Sequence, residues 1–143
     1  MRLHALKVLW VVLVLGVTPL GAQLILPKPK PVIGARMPAL SPDGKRLAFV
    51  YQGDIWSVPV KGGRATPLTL NVEMDAFPLY APDGKWLAFG SKRNGNWDVF
   101  VVPAEGGPVR QLTFHAGDQI PQGWSPDGQS ILFSAKIDTP NYT

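Results

Sequence analysis

Beyond residue 35 the apolar residues fall into short runs, such as Leu47–Tyr51, Ile55–Val60 and Val99–Val102, each closed by glycine, proline or aspartate. Runs of that length bounded by turn residues read as strands, and no segment after Gln23 carries a helical 3.6-residue period. Strands are expected over Arg46–Tyr51, Trp86–Gly90 and Ser130–Ala135, each preceded by a shorter one such as Pro78–Tyr80 or Gln122–Ser125. Further strands are expected over Ile55–Val60 and Val99–Val102, with return strands over Ala65–Leu70 and Val109–Phe114. Three Pro-Asp-Gly triplets (Pro42-Asp43-Gly44, Pro82-Asp83-Gly84, Pro126-Asp127-Gly128) link the first two strands of each set. Proline suits position i+1 of a type I turn, and glycine suits the residue that must take a positive φ.

These signals repeat. Asp43, Asp83 and Asp127 are spaced 40 and then 44 residues apart. Asp54-Ile55-Trp56-Ser57-Val58-Pro59 recurs 44 residues later as Asp98-Val99-Phe100-Val101-Val102-Pro103. Gly62-Gly63 and Leu68-Thr69 recur at the same offset as Gly106-Gly107 and Leu112-Thr113. The difference between the two spacings has one location, an insertion around Lys92-Arg93-Asn94-Gly95-Asn96. A period of about 40–45 residues is that of a four-stranded propeller blade. The expected fold is therefore all-β: a β-propeller of four-stranded blades, incomplete at about two and a half blades, with repeats near 35–74, 75–117 and 118–143.

The N-terminus breaks the pattern. Arg2 and Lys7 precede an apolar stretch, Val8–Val17, and then Thr18-Pro19-Leu20-Gly21-Ala22. That order is a secretory signal peptide, with cleavage expected after Ala22, and the apolar stretch is too short to span a bilayer. A Pro/Lys linker over 23–34, containing Lys28-Pro29-Lys30-Pro31, favours an extended tether. The protein is expected to be exported, periplasmic or secreted, with no stable membrane span unless the leader stays uncleaved. The net charge of +4 belongs to this tail, because from Ala35 onward ten basic residues balance ten acidic ones. No basic stripe marks the repeats, so no nucleic-acid partner is expected. The sequence has no cysteine, which excludes a disulfide scaffold, a thiolate metal site and a cysteine nucleophile.

Catalytic chemistry is hard to find. His115 is the single histidine after the leader, which rules out a two-histidine metal site within the repeats. Gly123-Trp124-Ser125-Pro126-Asp127 only approaches a nucleophile elbow, and Ser125 occupies the turn slot of Ser41 and Ala81. Asp43, Asp83 and Asp127 are expected to bond their own turn backbone, and Asp54 and Asp98 to bond neighbouring backbone. Gly62, Gly63, Gly106 and Gly107 match no phosphate-binding loop and read as turn glycines. Trp56, Trp86 and Trp124 read as packing residues. The candidate partner contacts are Lys92, Arg93 and Trp97 around the insertion, together with His115, since loops on rigid scaffolds carry function. No catalytic residue, cofactor or metal is assigned.

The combined pattern, Leu40–Phe49 with Gly53–Thr69, then Tyr80–Phe89 with Asn96–Thr113, then Trp124–Phe133, resembles the WD40-like repeat of TolB-type β-propellers. The same repeat opens secreted tricorn-like peptidases, and Gly95–Gly107 followed by Gln111–His115 is most similar to that group. The resemblance implies a non-catalytic propeller that gates or docks peptide substrate, with serine chemistry in later domains. The alternative it implies is a TolB-like periplasmic protein-binding module. TolB-type proteins place an α/β domain before the propeller, and only Gln23–Gly34 stands between leader and repeats here. Half a blade leaves an open strand edge, so the chain is expected to be an N-terminal fragment. The expected partners are a peptide or protein, and either the remaining blades of the same protein or a further copy.

Overall fold

The computed structural model of the chain describes residues 30–136. The leader assigned to 1–22 and the last residues of the third repeat, 137–143, lie outside that range. The described residues form ten strands and no helix. Among them no helix is long and apolar enough to cross a membrane. The strands are β1 (Arg36–Leu40), β2 (Arg46–Tyr51), β3 (Asp54–Pro59), β4 (Thr66–Pro67), β5 (Asp75–Tyr80), β6 (Trp86–Ser91), β7 (Asp98–Pro103), β8 (Arg110–Gln111), β9 (Gln119–Trp124) and β10 (Ile131–Ala135). They build two four-stranded antiparallel blades, ordered β1-β2-β3-β4 and β5-β6-β7-β8, and a two-stranded sheet of β9 and β10. First strands touch from blade to blade, β1 on β5 and β5 on β9, so the sheets converge on that side.

Two sets of strands depart from the expected lengths. The first strands are longer, because a bulge at Phe77-Pro78 keeps Asp75 and Ala76 in register with Ser91 and Gly90. Proline has no N–H to give a ladder, and a bulge is where a strand tolerates it. Met37, before Pro38, occupies the same place in the first blade, and both Met37 (φ 51°) and Phe77 (φ 58°) are left-handed there. The last strands are cut to two residues. In each, a threonine hydroxyl replaces the main chain: Thr69 Oγ1 accepts from Ile55 N, and Thr113 Oγ1 accepts from Val99 N, both at 2.9 Å. The same hydroxyls donate to Asp54 and Asp98 at 3.4 Å. The repeated Leu-Thr pair thus ends the ladder while keeping the third strand's N–H satisfied.

The Pro-Asp-Gly turns share one backbone pattern. Gly44, Gly84 and Gly128 have φ of 70°, 71° and 70°. Each aspartate accepts from the N–H two residues on, at Lys45, Lys85 and Gln129. In the first and third turns a serine hydroxyl adds a bond, Ser41 to Asp43 at 2.7 Å and Ser125 to Asp127, while accepting from Arg46 N and Ser130 N. The turns also stack along one rim. A Cβ at Gly84 would lie 3.6 Å from Pro42 Cδ, and one at Gly128 would lie 3.5 Å from Pro82 Cδ.

The core lies between blades. Ala48, Ile55 and Leu68 of the first blade pack against Leu87, Phe89, Phe100, Val102 and Ala104 of the second. The Phe89 and Phe100 rings stack with centroids 5.8 Å apart. β6 and β7 are buried almost throughout, which explains runs such as Val99–Val102 that do not alternate.

Phe89→Ala is expected to cost roughly 3–5 kcal/mol, read as a lowered urea midpoint. Phe133→Ala, at the matching but partly exposed position in β10, should cost less than about half of that. A second expectation concerns acid. The Ser41 and Ser125 hydroxyls, followed by the turn N–H groups, hold the Asp43 and Asp127 carboxyls below their usual pKa of 3.8. A depressed carboxylate stabilises the fold fully above its unfolded pKa, and that contribution is lost as pH falls through the lower folded value. Stability of the Ser41→Ala/Ser125→Ala variant should therefore change less between pH 5 and pH 2 than that of the parent chain.

Candidate functional site

Antiparallel connectivity divides the loops between two rims. One carries the Pro-Asp-Gly turns and the Gly-Gly turns, where Gly62 N bonds Pro59 O and Gly106 N bonds Pro103 O, both at 2.8 Å. That rim is made of local turns. The other carries the β2–β3 and β6–β7 hairpin loops and the crossovers from one blade to the next. Lys92, Arg93, Trp97 and His115 all lie on this second rim, on loops 92–97 and 112–118.

In the first blade the hairpin loop is two residues, Gln52 (φ 52°) and Gly53 (φ 91°), the pairing of positive φ values that a type I′ turn requires. The second blade inserts Lys92–Asn96 at the same place. The insertion is fastened at every few residues. Lys92 N donates to Met74 O at 3.0 Å, and Gly95 N returns to Lys92 O at 2.8 Å. Asn94 Nδ2 bonds Gln111 Oε1, and Asn96 Nδ2 bonds the carbonyls of His115 and Gly117, all at 3.0 Å. Trp97 N donates to Asp118 Oδ1 at 3.0 Å, and Gln119 N donates to Trp97 O at 2.6 Å. The β6–β7 loop and the crossover into the third sheet therefore form one bonded unit.

Two of the four candidate contacts are structural. Arg93 turns inward. Its Nη2 lies 3.1 and 3.2 Å from the two oxygens of Asp75, its Nε donates to Ser91 Oγ at 2.8 Å, and its guanidinium sits 4.5 Å from the Phe100 ring centroid. Asp75 is fully buried at the start of β5. A carboxylate there needs a cation, and the inserted loop supplies it. Trp97 is half-buried, edge-on to Phe77 at 5.2 Å, and it fills the space over Gly90. A Cβ at Gly90 would meet both rings at 3.2 Å. Reading the insertion as a solvated loop missed this because neither Asp75 nor Gly90 stands out locally. The pair Asp75–Arg93 is separated by 18 residues.

Lys92 and His115 remain exposed. Lys92 Nζ stands 5.1 Å over the Trp97 ring, and His115 Nδ1 accepts from Gly117 N at 3.1 Å. Beside them the rim shows apolar side chains that sequence reasoning did not single out. Leu70 is 79% exposed and Phe114 78% exposed, and each directly follows the Leu-Thr pair of its repeat. Val72 is fully exposed on the same crossover as Leu70. The available signal was an apolar residue placed, in both repeats, just after the threonine that ends the ladder. Asp54 accepts from Asn71 N at 2.9 Å, and Asp98 from the Gln111 side chain at 3.0 Å, so the second bonds a side chain where backbone was expected. Among the described residues no group of three or more His, Cys, Asp or Glu is placed to hold a metal ion. The chemistry this rim offers is contact: apolar tips on a bonded loop frame, flanked by a cation and an imidazole.

Arg93→Met would leave the Asp75 carboxylate buried without its partner. It should destabilise the chain by on the order of 3 kcal/mol in urea unfolding. Asp75→Asn/Arg93→Met should recover part of that loss.

Comparison with known proteins follows the architecture. The Bacillus subtilis uncharacterized peptidase YuxL is 34% identical over 75 residues, 46% of this chain and 11% of YuxL. The structure of a putative TolB from Agrobacterium tumefaciens matches with a TM-score of 0.66 at 30% identity, covering 73% of this chain and 39% of that one. The tricorn protease structure matches with a TM-score of 0.59 at 23% identity, over 66% of this chain and 10% of that one, and shares the fold. The chain thus spans well under half the length of each of these proteins. The model of the tricorn protease N-terminal beta propeller domain matches residues 34–143, taking in both complete blades and the two-stranded sheet. The chain belongs to the family of tricorn protease N-terminal β-propeller domains.

Proposed function

We propose that this chain is the non-catalytic propeller segment of an exported tricorn-like serine peptidase, and that it docks or gates peptide and protein substrates on its insertion-bearing rim. The observation that carries the reading is that rim: Leu70, Val72 and Phe114 stand exposed on loops that are themselves tied by hydrogen bonds, at Asn71 to Asp54 and at Asn96 to His115 and Gly117. Apolar tips on a rigid frame bind with little ordering cost. Family membership and the likeness to a peptidase support the peptide-handling role. The leader order at Arg2–Ala22 supports export. In this reading bond cleavage belongs to other domains, and Lys92 and His115 steer and contact substrate.

A TolB-like periplasmic binding module is the second reading, and one observation favours it: the match to the putative TolB is higher in both identity and TM-score than the match to tricorn protease. Both readings use the same surface.

The test is a binding titration of the chain with a fluorescent library of unstructured peptides. Burying one large apolar side chain is worth about 1.5–3 kcal/mol, and each 1.4 kcal/mol is tenfold in affinity. Leu70→Asp/Phe114→Asp should therefore weaken binding by about tenfold or more. The matched pair Lys45→Asp/Lys85→Asp, on the turn rim, should leave it unchanged. Equal affinity in both variants would remove the rim from the function.

A further inference from the structure

Each exposed tip of the rim is followed by a residue that bends its crossover back on itself. Leu70 precedes Asn71, and Phe114 precedes His115, at equivalent positions of the two repeats. Asn71 Oδ1 accepts from the N–H two residues on, that of Glu73, at 2.9 Å. His115 Nδ1 accepts in the same way from Gly117 N at 3.1 Å. The imidazole therefore stands in for the side-chain oxygen of an Asx turn. The two acceptors differ in one respect. An amide oxygen accepts at every pH, whereas Nδ1 accepts only while the ring is neutral, because both nitrogens of an imidazolium are donors. Protonation sets one N–H against another and ends the bond.

Gly117 is where the loss of that bond tells. Its carbonyl accepts from Asn96 Nδ2 at 3.0 Å and also from Gln119 Nε2. A Cβ at Gly117 would run into the main-chain carbonyl of Lys136, at the end of β10. This residue thus fastens the second crossover to the insertion and to the third sheet. The charged groups on the elements around His115 are Lys92 and Arg93 of the insertion, Asp98 of β7, Asp118 of its own crossover and Lys136. Arg93 is paired with Asp75, Asp98 holds Gln111 and Thr113, and Asp118 accepts from Trp97 N. Among the described residues no carboxylate lies within ion-pair distance of the ring, so no new pair offsets the broken bond.

We propose that His115 is an acid-sensitive latch on the docking rim. Neutral, it holds the second crossover closed on Gly117 and fixes the aim of Phe114. Protonated, it releases the crossover and weakens the docking of apolar peptide. The first crossover, latched by Asn71, lacks this sensitivity. The proposal rests on the reading of the rim as a docking surface and adds its regulation.

The full chain is titrated by anisotropy with an end-blocked, rhodamine-labelled peptide of serine, glycine, leucine and phenylalanine. A peptide sequence without charge removes ionic attraction to the imidazolium. Between about pH 8 and about pH 5.5, the window in which histidine changes charge, affinity should fall by about threefold or more. His115→Asn gives the second crossover the acceptor of the first. Whatever its absolute affinity, the ratio between the two pH values should drop to about one. Asn71→His should enlarge that ratio beyond the parent's. A second readout needs no peptide: NMR of the isotope-labelled free chain. At the higher pH, Nδ1 should be the unprotonated ring nitrogen, and the Gly117 amide proton should show the small temperature coefficient of a bonded N–H. That coefficient should rise in acid for the parent and not for His115→Asn. A ratio retained by His115→Asn would overturn the proposal. So would Nε2 as the unprotonated nitrogen, or a Gly117 amide that stays bonded in acid. Failure of the docking reading looks different, with no peptide bound at either pH while the Gly117 bond still switches.

Discussion

Every blade here depends on its neighbour. A four-stranded sheet of this size buries one apolar face only when another sheet covers it. The contact of Ile55 and Leu68 with Leu87, Phe89, Phe100 and Val102 is where that happens. Its consequences run through the rest of the structure. Among the described residues the second blade is the one that lies between two sheets, and its β6 and β7 are buried on both faces. Among the described residues the first blade has one face covered, and β10 is largely exposed. Burial therefore grades along the chain according to how many neighbours each sheet has. Repeat position is not what sets it, since Phe89 and Phe133 stand at the same place after their Pro-Asp-Gly turns.

Polar residues set the frame within which those faces meet. Each Pro-Asp-Gly turn fixes the first hairpin by a carboxylate bonded two residues on, and each threonine after leucine closes the third strand's ladder with a hydroxyl. These bonds are local or nearly so, which is why they recur with the repeat and survive changes such as Ala81 for serine. The bulges at Met37-Pro38 and Phe77-Pro78 do the same for the inner strands: they keep the strand in register across a residue that cannot donate.

The insertion shows how a departure from the repeat is built into the fold. Four extra residues would lengthen a hairpin into solvent. Instead Arg93 neutralises buried Asp75, Trp97 covers Gly90, and Asn96 ties the loop to the next crossover. The outcome is a rim whose backbone is braced from within while Phe114, His115 and Lys92 stay outside. Rigidity and exposure together make it the surface best suited to a partner.

Much of the architecture was legible in the chain itself. Turn chemistry, the period near 40–44 residues and the short apolar runs depend on contacts within one repeat, so the all-β propeller class and the blade count follow from spacing. The Asp-Gly turns were readable for the same reason. The site was readable only in part. Lys92 and His115 stand where a surface loop puts them, but the inward course of Arg93 required knowing that Asp75, 18 residues away, is buried beneath it. Leu70 and Phe114 look like ordinary members of apolar runs until the threonine hydroxyl is seen to end the strand before them. The two-residue length of β4 and β8 and the cover over Phe89 are decisions of tertiary structure. Sequence alone determined what each repeat can form with itself. Packing between repeats decided which of its side chains meet water, because burial is a property of the neighbour as much as of the residue.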